Sequence, residues 1–255
     1  MRPQIADLKV LMPDLLIGLD FDGPIAPIID DPRGSRPVEG AIQVMQSLLD
    51  AGAQVAIITG RDVQSVIELG GLSDIRGLVI SGLYGAQLLR DGELIADDQV
   101  VGIAELRRRL PGVLVTVDKG LWVEDKGLSL VVHSRRTAQP AQTLVELRPK
   151  LDELADELDL EVHPGIFILE LRAPGYDKAS ALDLLLKDYS PRGVLFAGDD
   201  VGDVPALRAL RVWSQQHNEA RAVGVAVGEV SEVRELSDMH VDHAKDLFKE
   251  LAALL

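Results

Sequence analysis

The chain has 255 residues with 26 basic and 41 acidic side chains, a formal net charge of −15, 47% apolar residues and no cysteine. The acid excess argues against a general nucleic-acid binder and against docking on anionic lipid, both of which need a basic face. The missing thiols exclude disulfides, thiolate metal sites and cysteine nucleophiles.

No run approaches the ~18 apolar residues of a membrane span. The apolar residues 15–17 are strand length and run directly into Asp20 and Asp22, unlike a secretory signal core. A cytoplasmic protein with no membrane partner is the expectation.

The first predicted strand is Leu15–Leu19. Ile42, Met45 and Leu49 then recur at helical spacing, and residues 55–58 and 78–81 are further short β-rich runs. Runs this short, bounded by Gly and Asp, suit strands buried on both faces. The middle of the chain differs. Residues 113–117, 121–123, 128–133 and 166–171 read as strands, and Leu144, Leu147, Leu151, Leu154 and Leu158 mark one long helix. Pro149 falls inside that helix and predicts a kink or split. Asp152, Glu153, Asp156, Glu157 and Asp159 form its solvated face. Residues 193–197 and 223–227 return to the buried-strand pattern. The expected fold is α/β: a Rossmann-like parallel-sheet core over 1–111 and 175–255, with a smaller α+β unit inserted over 112–174. Pro111-Gly112 and Pro174-Gly175 are the expected hinges.

Chemistry concentrates at strand ends. Asp20-Phe21-Asp22-Gly23 follows the first strand, and residues two apart point the same way. Ligands bind outside the carboxyl ends of parallel strands. Two adjacent carboxylates repel and call for a cation or a shared proton; magnesium, which favours carboxylate oxygen and water, fits. Gly198-Asp199-Asp200-Val201-Gly202-Asp203 places three more carboxylates after another buried strand. Thr59-Gly60-Arg61 offers a hydroxyl and backbone N–H groups at a helix start, which suits a phosphate oxygen. Lys178 opens a predicted helix against the helix dipole, a misfit that points to an anion. His240 and His243 could share a helix face, but no strand-end cluster supports a metal there. His163 and His217 read as loop or surface residues, and Trp122 and Trp213 as packing groups.

The order Asp-x-Asp, Thr, Lys, acidic cluster resembles the haloacid dehalogenase superfamily, and the insertion resembles its C2-type cap. Glu124-Asp125-Lys126-Gly127 followed by residues 128–132 and His133-Ser134-Arg135 resembles the trehalose-6-phosphate phosphatases. So do Gly82-Leu83-Tyr84-Gly85-Ala86, residues 165–170 and Gly198-Asp199-Asp200 with Asp203.

The resemblance implies that Asp20 is the nucleophile and Asp22 the acid and then the base. Thr59 and Lys178 would hold the phosphoryl group, with Gly60 and Arg61 beside it. Magnesium would be bound by Asp20, the main chain of Asp22, and Asp199, helped by Asp200 or Asp203. Glu124, Lys126 and Glu170 would read sugar hydroxyls, with Arg135 a further substrate contact. The implied partner is a small sugar phosphate met by a monomer, trehalose 6-phosphate foremost. The alternatives are sucrose phosphate, a glycosyl-glycerate phosphate, a hexose phosphate, transfer to an acceptor other than water, and a non-catalytic sensor. Departures from the family pattern are Pro24 and Gly202 in place of Thr, Gln87 in place of Glu, and Ala179 in place of Gly. Pro24 bears on the turn at the nucleophile and Gln87 on the sugar contacts.

Overall fold

A computed structural model of the chain describes residues 3–29, 34–96, 100–217 and 219–255. In chain order the elements begin with β1 (Leu15–Leu19), α1 (Ala41–Asp50), β2 (Gln54–Ile58), α2 (Val63–Gly70), β3 (Val79–Gly82), β4 (Gln87–Arg90) and β5 (Glu93–Ala96). Next come α3 (Val100–Leu114), β6 (Trp122–Asp125), β7 (Ser129–His133), α4 (Pro140–Glu157), β8 (Glu161–Gly165) and β9 (Ile168–Arg172). The chain ends with α5 (Lys178–Tyr189), β10 (Gly193–Gly198), α6 (Val204–Gln216), β11 (Arg221–Val227), α7 (Ser231–Leu236), β12 (Met239–Val241) and α8 (Ala244–Ala252).

Two compact units result, Met1–Ile95 with Asp177–Leu255, and Ala96–Tyr176. In the larger one an eight-stranded sheet runs β12-β11-β10-β1-β2-β3-β4-β5. The six strands from β12 to β3 are parallel, and β4 turns antiparallel to β3. Both β1 and β10 are buried along their whole length. This is why they read as unbroken apolar runs: helices cover both faces. Leu15, Ile17 and Leu19 join Val55, Ile57 and Leu195 in one core with Met45, Val66 and Leu247 from α1, α2 and α8. Leu16, Ala56, Ile58 and Phe196 face the other way and pack with Leu182, Leu207 and Val233 from α5, α6 and α7. Each such buried side chain contributes about 1.5–3 kcal/mol against exposure. From β1 the chain steps outward through β2 to β3, then returns to β10 on the opposite flank. The register Ile57↔Leu19↔Ala197 aligns the carboxyl ends of β2, β1 and β10 at this reversal, where such sheets open a ligand crevice.

The smaller unit is an antiparallel sheet β6-β7-β9-β8 covered on one face by α3 and α4. Leu130, Val132, Leu169 and Leu171 meet Ile103, Leu106 and Leu110 of α3 and Leu147, Leu151 and Leu154 of α4 there.

Several expectations are corrected. Residues 113–117 are not a strand: Val113 and Leu114 end α3 and the rest is turn. The buried Leu106, Leu110 and Leu114 show the helical spacing that captures this apolar run. Pro111-Gly112 is no hinge, since Pro111 lies within α3 and the division falls at Ile95/Ala96 and Tyr176/Asp177. Pro149 does not split α4. Pro149 and Val145, whose carbonyl loses its partner, both lie on the exposed side, so water can serve that carbonyl. His240 lies in β12 and His243 precedes α8, so they share no helix face. His163 lies in β8, which the reading missed because Pro164 interrupts it; Pro is tolerated on an edge strand.

Candidate active site

The site in the larger unit is built where β1 and β10 end. Asp20 follows β1 and is 4% exposed. Its Oδ1 accepts the Phe21 N–H at 2.7 Å and its Oδ2 lies 2.8 Å from Lys178 Nζ. Lys178 is the first residue of α5, behind a reciprocal cap in which Asp177 accepts the Ser180 N–H at 2.7 Å and Ser180 Oγ accepts the Asp177 N–H at 3.0 Å. Its ammonium also reaches Asp203 Oδ1 at 2.7 Å. The other Asp203 oxygen accepts the N–H groups of Asp199 and Asp200 at 2.9 and 3.1 Å. Gly198 admits this carboxylate, because a Cβ there would fall 2.3 Å from Asp203 Cγ.

Asp20, Asp199 and Asp203 each offer an oxygen within 4.8 Å of the others. Asp199 reaches the cluster over Gly23, where φ is +85° and a Cβ would lie 2.2 Å from its carboxylate carbon. Burial raises the Asp20 carboxyl well above the ordinary range, against the pull of Lys178. Burial, Asp203 and Asp200 push Asp199 up to about 7. Burial raises Asp203 too, opposed by Lys178. Burial alone would lower Lys178, but Asp20 and Asp203 outweigh it and hold the ammonium charged. Three carboxylates with one ammonium between two of them leave uncompensated negative charge, so the donor set fits a hard divalent cation.

The remaining predicted residues divide clearly. Asp22 lies outside the triad, and Arg61 holds it by donating from Nε and Nη2 at 2.6 and 2.7 Å. That contact, then burial working against it, raises the guanidinium. Thr59 is buried after β2, and its Oγ1 accepts the Arg61 N–H at 3.2 Å. Asp200 is exposed, accepts the Gly202 N–H at 2.8 Å and lies outside the triad. Pro24 fits its turn, which is closed by the N–H groups of Gly23 and Ala26 on Ala26 O and Phe21 O at 2.8 and 2.9 Å. Gln87 Oε1 accepts the Val63 N–H at 2.9 Å and caps the start of α2.

In the smaller unit Glu124 and Glu170 both stand opposite Val131, on either side of β7, and so share the sheet face turned away from the helices. Ser129 Oγ donates to Glu170 at 2.6 Å, and His133 Nε2 lies 3.0 Å from Glu124. Lys126 is exposed in the turn after β6, its N–H on Ser129 O at 2.9 Å. Arg135 is exposed in the loop after β7.

Two residues escaped the sequence reading. Tyr84 lies over Gly60, where a Cβ would meet its hydroxyl at 2.6 Å, and both it and Leu83 carry positive φ, 57° and 49°. Only the Gly82–Ala86 resemblance hinted at it. His133 stands in the His133-Ser134-Arg135 run, which by itself assigns it no role.

A parallel sheet with paired carboxylates after its first strand, an inserted antiparallel sheet, and a lysine and acidic cluster closing the site define a haloacid dehalogenase-type hydrolase fold. The trehalose-phosphatase family model matches residues 18–242, and the chain belongs to that family. It is 30% identical over 203 residues to a trehalose-phosphate phosphatase of Mycobacterium avium, covering 75% of this chain and 50% of that one. An uncharacterized glycosyl hydrolase of Mycobacterium tuberculosis is 30% identical over 218 residues, 79% of this chain and 16% of its own length. The chain thus spans half or less of these relatives. The fold is similar to a solved trehalose-6-phosphate phosphatase of Aspergillus fumigatus, with a TM-score of 0.76 at 24% identity, covering 99% of this chain and 97% of the other. Among the described residues no helix is long and apolar enough to cross a membrane.

Proposed function

We propose that the chain hydrolyses trehalose 6-phosphate to trehalose and phosphate, with magnesium held by Asp20, the Asp22 main chain and Asp199. The observation that carries the chemistry is the Lys178 ammonium shared between Asp20 at 2.8 Å and Asp203 at 2.7 Å. It sets a nucleophile beside a fixed positive charge where a phosphoryl group would dock. When bound, magnesium neutralises phosphoryl oxygens and the crowded carboxylates. Of the acidic cluster, Asp199 is the ligand, while Asp203 is spent on Lys178 and two backbone amides.

Asp20 Oδ attacks phosphorus in line as the bond to the sugar oxygen breaks, and Asp22 gives that oxygen its proton. The aspartyl-phosphate is then cleaved by water, whose proton returns to Asp22. One group serves as acid then base because the first step leaves it in the form the second requires. The arriving phosphate dianion competes for Arg61, and Asp22, so released, takes up from solvent the proton it then gives to the sugar oxygen. Thr59 and the amides after β2 take phosphoryl oxygens. Glu124 and Glu170, two strands apart on one face, support recognition of several hydroxyls, which penalises substrates that leave them unpaired. Lys126 and Arg135 flank that face as further contacts.

The test is phosphate release from trehalose 6-phosphate, sucrose 6-phosphate and glucose 6-phosphate, with magnesium and with EDTA, by wild type and Asp20→Asn. Magnesium-dependent release from trehalose 6-phosphate alone, absent in Asp20→Asn, is expected. Release from another sugar phosphate keeps the mechanism and changes the substrate. Turnover by folded Asp20→Asn refutes the nucleophile.

A further inference from the structure

The face of the small antiparallel sheet turned away from α3 and α4 carries a three-residue unit, Trp122, His133 and Glu124, of which only Glu124 has a role so far. Trp122 and His133 are directly opposite on β6 and β7. Their rings stack with centroids 3.8 Å apart and planes 7° from parallel. His133 Nε2 lies 3.0 Å from Glu124 Oε2; the histidine side chain is 13% exposed and the glutamate 44%. An ionised carboxylate only accepts, so Nε2 carries the hydrogen and a neutral ring keeps its lone pair on Nδ1. That Nδ1 is buried and has no hydrogen-bond partner among the described residues. Buried polar atoms are rarely left unmet, and each exception asks for an explanation. Here every polar interaction of the ring is committed to Glu124, and the indole fixes the ring's tilt and hence the direction of its N–H.

We propose that His133, clamped by Trp122, is a positioning residue for Glu124, and that this unit sets the preference for substrates with a polyhydroxylated leaving group. The inference rests on the reading that this sheet face recognises sugar hydroxyls. A long glutamate side chain at a half-exposed position samples several rotamers, and freezing one before binding removes that cost from recognition. The indole–imidazole stack supplies rigidity that a polar partner alone would not.

The experiment compares kcat and KM for trehalose 6-phosphate and p-nitrophenyl phosphate in wild type, His133→Phe, His133→Gln, Glu124→Gln and the His133→Phe/Glu124→Gln pair. Phe keeps a ring to stack on Trp122 and removes the donor, whereas Gln restores a donor near Nε2. His133→Phe is expected to lower the ratio of kcat/KM for trehalose 6-phosphate to that for the aryl phosphate about tenfold, through KM. His133→Gln should recover part of the loss, and the pair should be no worse than Glu124→Gln alone. If Glu124→Gln lowers the ratio and His133→Phe does not, positioning is overturned while sugar recognition by this face survives. If neither lowers it, the recognition reading falls and takes this one with it. Nitrogen NMR of the wild-type ring supplies a check free of folding effects. The Nε2–H tautomer, lost or shifted in Glu124→Gln, is expected, and an Nδ1–H tautomer would overturn the proposal.

Discussion

The Lys178 ammonium and the Asp203 carboxylate meet at 2.7 Å, with side chains 5% and 0% exposed. The second Asp203 oxygen is spent on the Asp199 and Asp200 amides, so one carboxylate fixes both the lysine and the loop carrying Asp199. Lys178 keeps Asp20 at 2.8 Å when Asp203 is replaced, so its charge is not stranded and the loss is that of the buried hydrogen bonds Asp203 accepts. Asp203→Asn should therefore lower unfolding free energy by about 1–3 kcal/mol in urea denaturation. Magnesium affinity should fall as well, because the loop carrying Asp199 loses its anchor. A loss below about 1 kcal/mol would mean that the pair behaves as a solvated one.

The crowded carboxylates predict a pH signature. Asp199 sits at about 7 in the folded chain against an ordinary 3.8. Between those values the folded chain keeps a proton that the unfolded chain has released. Stability without an ion should thus fall as pH rises from about 4 to 7. Asp20 and Asp203, also raised, act in the same sense. An ion requires these groups as carboxylates, so binding offsets the loss most where they are ionised. Melting midpoints in EDTA and in magnesium should separate more at pH 8 than at pH 5, and Asp199→Asn should shrink the difference. A magnesium effect independent of pH would contradict the assignment.

What could be read from sequence follows from what each signal depends on. The strands β1, β2, β10 and β11 are legible because burial on both faces demands continuous apolar runs, and Asp20 and Asp199 stand at their ends. The strand β8 is illegible because Glu161-Val162-His163-Pro164-Gly165 offers one apolar residue and a proline, tolerable only at an edge. The run at 113–117 is ambiguous taken alone and is decided by Leu110 and Leu106, one and two turns earlier. Arg61 could be placed near phosphate from its position after β2. Its grip on Asp22, 39 residues away, depends on how two loops approach, and no local pattern records that. Gln87 likewise serves the start of α2, 24 residues back, through a contact that no local pattern records.

The helix α4 supplies Leu147, Leu151 and Leu154 to the core of the smaller unit, and Leu151 is fully buried. Leu151→Ala should cost about 2–5 kcal/mol, the range for truncating a buried leucine. Because the residue lies in the core of the smaller unit and the phosphoryl chemistry in the other, turnover of an aryl phosphate at low temperature should suffer less than turnover of trehalose 6-phosphate. Urea denaturation followed by Trp122 fluorescence reads the stability term. Equal loss on both substrates would mean that the smaller unit supports the chemistry itself.

Arg61 grips Asp22 with two nitrogens at 2.6 and 2.7 Å, with side chains 20% and 33% exposed. A pair this open to water adds little stability, on the order of 1 kcal/mol or less. Its geometry, however, fixes where the Asp22 carboxylate points. Lysine cannot reproduce a planar two-point contact, so Arg61→Lys is not conservative here. Both Arg61→Lys and Arg61→Ala should therefore melt close to wild type while kcat/KM for sugar phosphate falls by about tenfold or more, a loss near 1.4 kcal/mol of transition-state stabilisation. If Arg61 only attracts the dianion, KM should rise alone and Arg61→Lys should restore it. If it also orients the acid, kcat falls in both variants, and the fall should be smaller for p-nitrophenyl phosphate, whose acidic leaving group needs less protonation. A uniform fall on both substrates would remove Asp22 orientation from the account and leave Arg61 as a phosphate contact.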